Sequence, residues 1–192
     1  MSDTDFRNTK YQALLQQFGR TISATSKGGK NNTPMIDCQY ICHSHTLVCF
    51  DDYAKWVIGT KLSENLTKKL VKSCDALLRK SDTQWFLIEF KSGRIGKKEI
   101  HEIRGKVFES LLILTEELET TIHFTRKNVF FVLVHDETKS HDSRIYFRTI
   151  QKHLATKAGI TFQFFNLSKL KGVYFQDVFV VSPQEFNTKV NS

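Results

Sequence analysis

SCDALLRKSDTQWFLIEFKSG, from Ser73 to Gly93, sets two apolar runs against each other across a polar cluster. Lys80-Ser81-Asp82-Thr83-Gln84 has the chemistry of a turn, and the run from Thr83 to Phe90 is rich in β-branched and aromatic residues. The stretch therefore predicts an antiparallel hairpin turning near Asp82. Directly opposed residues are equidistant from the turn, which pairs Arg79 with Trp85, Leu77 with Leu87 and Asp75 with Glu89. Alternation puts Cys74, Ala76, Leu78, Phe86, Ile88 and Phe90 on one apolar face, expected to be core. The other face carries Asp75, Glu89 and Lys91 beside Leu77, Leu87 and Trp85. Two like charges opposed across strands repel, costing up to about 1 kcal/mol unless a cation sits between them. Lys91 can neutralise only one of them. Two carboxylates with a lysine two residues along are a set that can hold a hard divalent ion and position a water beside it.

The chain after the hairpin is equally specific. Ile100, Ile103, Val107, Leu111, Leu114 and Leu118 recur at helical spacing, and NVFFVLV, from Asn128 to Val134, then reads as a strand buried on both faces. Asp, thirteen residues, Glu-X-Lys, then Ser92-Gly93, helix and strand resembles the PD-(D/E)XK nuclease superfamily. The resemblance covers roughly residues 60 to 135 and rests on a short motif. It implies an α/β fold with a mixed central β-sheet flanked by helices, a restriction-endonuclease-like core. It also implies Mg²⁺, with Mn²⁺ as substitute, held by Asp75, Glu89 and the backbone carbonyl of Phe90, and Lys91 as the catalytic lysine. Cys74 stands where the family often has proline, which is not a ligand. The family's additional acid on a preceding helix has only Glu64 as a counterpart, close to Asp75. Its usual Gln or Lys on the helix after the hairpin corresponds to Arg104 or Lys106.

The length of 192 residues predicts one domain spanning the chain, large enough for a core without disulfide or metal staples. With 40% apolar and 25% charged residues the composition is that of a soluble globular protein. No window approaches the run of about eighteen apolar residues that a membrane span requires, and MSDTDFRNTK does not resemble a signal peptide. Four cysteines at irregular spacing point to a reducing compartment, and the expectation is a cytoplasmic protein.

Phe6, Tyr11, Leu14, Leu15 and Phe18 predict a helix over 5–18 that stops at Gly19. Residues 23–34 read as a polar, mobile loop whose Lys27 and Lys30 are available to phosphate. Residues 35–60 read as strands with a turn at Asp51-Asp52. Cys38, Cys42, His43, His45 and Cys49 lie close together there, but alternation divides them between two faces, which argues against zinc. Residues 61–72 predict a short helix with Ser63 as cap, and 146–158 a helix with Phe147, Ile150 and Leu154 inward and Gly159 as its stop. His135-Asp136-Glu137 reads as a solvated strand end. ITFQFF and VYFQDVFVV read as strands, with Pro183 and a polar tail closing the chain.

The net charge is +8, and residues 55 to 106 hold thirteen Lys or Arg against six Asp or Glu. A positive field around paired acids suits a polyanionic substrate, with Lys97, Lys98, Arg104 and Lys106 as the expected nucleic-acid contacts. The functional expectation is a magnesium-dependent nuclease hydrolysing DNA, without membrane partners, and compatible with a homodimer or a larger assembly. Two other classes share these features: a nucleic-acid-binding module without catalysis, and an interaction protein in which Asp75, Glu89 and Lys91 are surface ion pairs worth about 0 to 1 kcal/mol each. If the basic excess meets phosphates, duplex affinity falls steeply with salt, with a logarithmic slope near −0.9 per phosphate contact. A salt titration of DNA binding checks this, and a flat profile points to a protein partner.

Overall fold

The computed structural model describes residues 2–28, 33–34, 46–61, 71–136 and 164–191. The polypeptide opens with helix α1 (Asp3–Phe18), the short strand β1 (Gly19–Thr21) and a helical turn α2 (Ile22–Thr25). A small ribbon comes next, β2 (Lys27–Gly28) against β3 (Thr33–Pro34). It leads to β4 (Thr46–Cys49), α3 (Phe50–Lys61), β5 (Ala76–Ser81), β6 (Gln84–Ser92) and the long helix α4 (Lys97–Glu117). The final elements are α5 (Ile122–Asn128), β7 (Val129–Asp136), a 3-10 segment (Phe164–Leu170), β8 (Asp177–Val181) and α6 (Pro183–Asn191).

Six strands form one mixed sheet in the order β1-β4-β5-β6-β7-β8, an α/β fold flanked by helices. β4, β5 and β6 run antiparallel, whereas β7 and β8 join parallel to β6. The hairpin has the expected register: Leu77 faces Leu87 and Arg79 faces Trp85, with an irregularity between Arg79 and Ser81 at the turn. The parallel step from β6 to β7 needs a crossover, and α4 supplies it.

Both faces of the sheet are core. Leu77, Trp85, Leu87, Val129, Phe131 and Leu133 pack beneath α1, α3, α4 and the 3-10 segment. Ala76, Leu78, Phe86, Ile88, Phe90, Val132 and Val134 pack on the other side with Ile22 and Phe186, under α2 and α6. The expectation of a single apolar core face was too narrow. Cys74 also belongs with the first cluster, because it precedes β5 and lies outside the strand alternation.

Other expectations are corrected by local chemistry. AKWVIGT lies in α3 and not in a strand, and Asp51-Asp52 is the first turn of that helix, where carboxylates complement the positive end of the peptide dipoles. Phe50, Tyr53, Ala54 and Val57 recur at helical spacing, and the first three are buried. The loop expected over 23–34 begins instead with α2, capped by Thr21 Oγ1 on the Ala24 N–H, and includes β2 and β3. Phe164-Phe165 begins a 3-10 segment, and of VYFQDVFVV only Asp177–Val181 is strand. α5 was not anticipated.

The polar tail is α6, and its cap is reciprocal. Ser182 Oγ accepts the Glu185 N–H at 3.2 Å while Glu185 Oε2 accepts the Ser182 N–H at 2.8 Å, with Pro183 at the first helical position. The expected strands at 35–45, the middle of the helix at 61–72, the helix at 146–158, and ligands Cys38, Cys42, His43 and His45 lie outside the described residues; of the 61–72 helix, Lys61 closes α3 and Val71-Lys72 are not helical. Cys49 and Cys74 are free, and burial pushes the half-buried Cys49 thiol up to about 11. No helix among the described residues is long and apolar enough to cross a membrane. Ser182→Ala is expected to cost about 1 kcal/mol through loss of the α6 cap, as read by urea denaturation.

Candidate active site

Asp75 sits one residue before β5, where backbone pairing to β6 stops at Ala76 and Ile88. Its carboxylate takes over the next rung of the ladder, with Oδ2 accepting the Phe90 N–H at 2.7 Å. Its carbonyl accepts the Phe50 N–H at 3.0 Å, which ties it to the start of α3. The lead-in is fixed as firmly: Ser73 Oγ donates to Asp51 Oδ1 at 2.8 Å, and the Cys74 N–H donates to Ser110 Oγ at 2.7 Å. A side chain tethered at both backbone flanks has little freedom, so Asp75 is held against β6.

Glu89 lies in β6 between that carboxylate and Leu133 of β7. Its side chain is 1% exposed, whereas that of Asp75 is 24% exposed. The two carboxyls converge on one ammonium, Lys106 Nζ, as their equal distance from the turn leads one to expect. Burial, then the Asp75 charge, pushes Glu89 up to about 8. Burial likewise raises Asp75 above its ordinary value.

The cation on this pair is Lys106, and not Lys91. Lys106 Nζ reaches from α4 to 2.8 Å and 3.0 Å from the two Glu89 oxygens and 3.5 Å from Asp75 Oδ1. Burial would lower this ammonium, but the Glu89 and Asp75 charges outweigh it and the net shift is upward. Lys91 stands two residues past Glu89 on the same face, half-buried. It forms no ion pair with either acid, yet its charge favours ionised Glu89. Lys106 was expected either as a nucleic-acid contact or as the helix Lys near the metal or scissile phosphate, and its head group turns onto the acids.

The remaining expected residues are dispersed. Lys97 and Lys98 are exposed in the first turn of α4, next to exposed Arg94. Arg104 Nη2 donates to the Asn166 carbonyl at 3.2 Å, which joins α4 to the 3-10 segment. Glu64 and Lys30 lie outside the described residues, and of Lys27 only the backbone is described. Among the described residues no three His, Cys, Asp or Glu side chains gather as a metal-ligating group.

Two positioning residues had weaker signals. Ser110 is fully buried among Val107, Leu111 and Leu114, and a serine inside an apolar helical stripe was the clue to its contact with Cys74. His135, opposite Lys91 in the parallel register, donates from Nε2 to the Gly93 carbonyl at 2.6 Å. Gly93, at φ +81, donates its N–H to the Asp136 carbonyl at 3.2 Å. A left-handed residue at this point favours glycine, and the two bonds pin the turn from Lys91 toward α4.

No protein-family model matches the chain, and no curated protein or solved structure matches it either.

Between the ordinary value of 4.5 and about 8, folded Glu89 holds a proton that the unfolded chain has lost. Stability therefore falls as pH rises through that window, by at most about 1.4 kcal/mol per pH unit, and levels above it. Urea denaturation at stepped pH should show this decline in the wild type. Glu89→Gln should flatten it.

Proposed function

We propose that this chain is a divalent-metal-dependent phosphodiesterase acting on nucleic acid, with DNA as the favoured substrate. The observation that carries the reading is the convergence of Asp75, partly open to solvent, and Glu89, buried, on the single Lys106 ammonium. Two carboxylates kept together at such electrostatic cost are poorly explained by packing alone, since apolar residues of similar size would fill a sheet face better. The resemblance to the PD-(D/E)XK nucleases rests on these same residues and adds support.

The donor set fits a hard cation. Asp75 Oδ1 and the Glu89 oxygens are carboxylate donors directed at one point, where an ammonium now sits. The Phe90 N–H faces Asp75, and on an extended strand a residue's carbonyl projects to the same side as its N–H. Asp75, Glu89 and the Phe90 carbonyl would therefore hold Mg²⁺ or Mn²⁺ in preference to zinc. When bound, such an ion supplies Lewis acidity toward a phosphoryl oxygen and an acidified water.

The chain's own residues divide the remaining work. Asp75 and Glu89 fix the charge centre against the sheet, held by Ser110 and the Phe90 N–H. Lys91, fixed by the strand and close enough for its charge to act on Glu89, orients the attacking water and balances charge as the nucleophile forms. Arg94, Lys97 and Lys98, exposed where the β6 turn enters α4, contact flanking phosphates and set the register of the strand being cut.

The engagement of Lys106 favours a second reading. An acid pair already satisfied by an internal ammonium would also suit a nucleic-acid-binding module without catalysis. Assays of supercoiled and linear DNA and of RNA with Mg²⁺ or Mn²⁺ separate the two. The nuclease reading expects cleavage by the wild type and at least a roughly hundredfold slower rate in Lys91→Ala, with nucleic-acid affinity nearly unchanged. Binding without cleavage of any substrate would leave the module.

A further inference from the structure

Lys106 and a divalent cation would need the same oxygens. Both Glu89 oxygens are engaged by the ammonium, and the residue is otherwise sealed from solvent. Asp75 Oδ2 is committed to the Phe90 N–H, so Oδ1 is the oxygen left to point inward, and it faces Lys106 at 3.5 Å. An ion at its usual distance of about 2.1 Å from these oxygens would lie well inside ordinary ion-pair range of Nζ. Two cations cannot share that space against their mutual repulsion.

From this geometry we propose that Lys106 is a resident counter-ion that a divalent metal displaces. Loading is then an exchange of one cation for another at the acid pair. The inference rests on the metal reading of Asp75 and Glu89 and deepens it, because it says what keeps the pair tolerable before metal arrives. Glu89 without any cation would be a buried charge with only Asp75, another acid, beside it. Lys106 removes that liability and sets a threshold for loading.

The exit is available. The Lys106 side chain is 26% exposed, so its head group can leave by rotation of its own stem. Glu102, also half-buried, precedes it by four residues on α4, and glutamate N-terminal to lysine at this spacing is the favourable order for a helical ion pair. An ammonium leaving Glu89 therefore has a new carboxylate within one helical turn. Lys91, by contrast, is carried by the strand itself and has no ion pair to either acid to give up. The two lysines thus differ in kind: Lys106 yields its place, and Lys91 stays.

The test measures Mn²⁺ binding to the full chain by titration calorimetry, with thermal melting in parallel. Lys106→Met keeps the alkyl stem and removes the charge, and Lys106→Gln keeps a donor as well, in case the first variant folds poorly. Both are expected to bind Mn²⁺ at least about tenfold more tightly than the wild type. Both should also melt lower than the wild type without metal and gain more from saturating Mn²⁺. If the wild type binds Mn²⁺ and the folded variants bind it equally or more weakly, the exchange is wrong while the metal reading stands. If neither wild type nor folded variants bind Mn²⁺, the exchange and the metal reading both fall.

Discussion

A carboxylate that is 1% exposed near the end of a central strand obliges its surroundings to supply positive charge, and much of the local architecture serves that demand at Glu89. Its first neighbour is another acid, which worsens the problem. The answer comes from α4, and its placement is a consequence of packing. Ile103, Val107, Leu111 and Leu114 are buried against the sheet, and this fixes the rotation of the helix about its axis. Lys106 is then carried to the edge of that stripe, where it meets Glu89, and Ser110 inside it meets the Cys74 N–H. Loss of Lys106 leaves Glu89 without its ion-pair partner, which destabilises the fold unless the acid takes up a proton. The apolar stripe and the polar contacts are parts of a single docking event.

The sheet topology decides where this happens. β6 is central, antiparallel to β5 and parallel to β7, and core packs on both its faces; Glu89 and Lys91 fall near its carboxyl end. In open α/β sheets the carboxyl ends of parallel strands are the usual place for ligands, because backbone pairing ends there and crossover helices begin. Here β5 also stops early, and Asp75 replaces a backbone acceptor with a side-chain one. The local break in the ladder is therefore satisfied, and it exposes part of a carboxylate at the surface. On the opposite face Phe186 of α6 packs against Phe90 with ring centroids 6.0 Å apart, which backs the strand at the residue next to Glu89.

The features legible in the sequence were those that depend on counting. The hairpin register comes from distance to the turn, and the α4 stripe from helical period, and both agree with the structure. Burial of the second sheet face was partly legible, since Leu77, Trp85 and Leu87 alternate with the residues of the first, but the charged residues among them hid that this face is core too. α3 was misread because Trp56, Val57 and Ile58 favour strands intrinsically, while its helical pattern depends on contacts with α1 such as Phe18 against Tyr53. Ser182-Pro183-Gln184-Glu185 was a legible cap that composition alone disguised as a tail. Lys106 and Arg104 were both candidates for the site, and the sequence could not choose between them. The side chain on a helix flank that reaches a strand depends on how deeply the helix docks.

Charge balance suggests why a site of this kind would carry two lysines. Once Glu89 gives up its proton, Asp75 and Glu89 are matched by Lys106 and Lys91, so the ionised site is close to neutral without metal. A divalent ion added on top would leave an excess of positive charge in a partly desolvated place, where such an excess is costly. On the proposed exchange, release of Lys106 toward Glu102 would reduce that excess, and an arriving phosphate would remove the rest. Metal and polyanion would therefore each favour the other's binding, a reciprocity that linkage requires of any two ligands sharing one field. A neutral substrate offers no such gain, so selectivity for phosphodiesters would arise from the same acids and lysines that hold the fold together at this point.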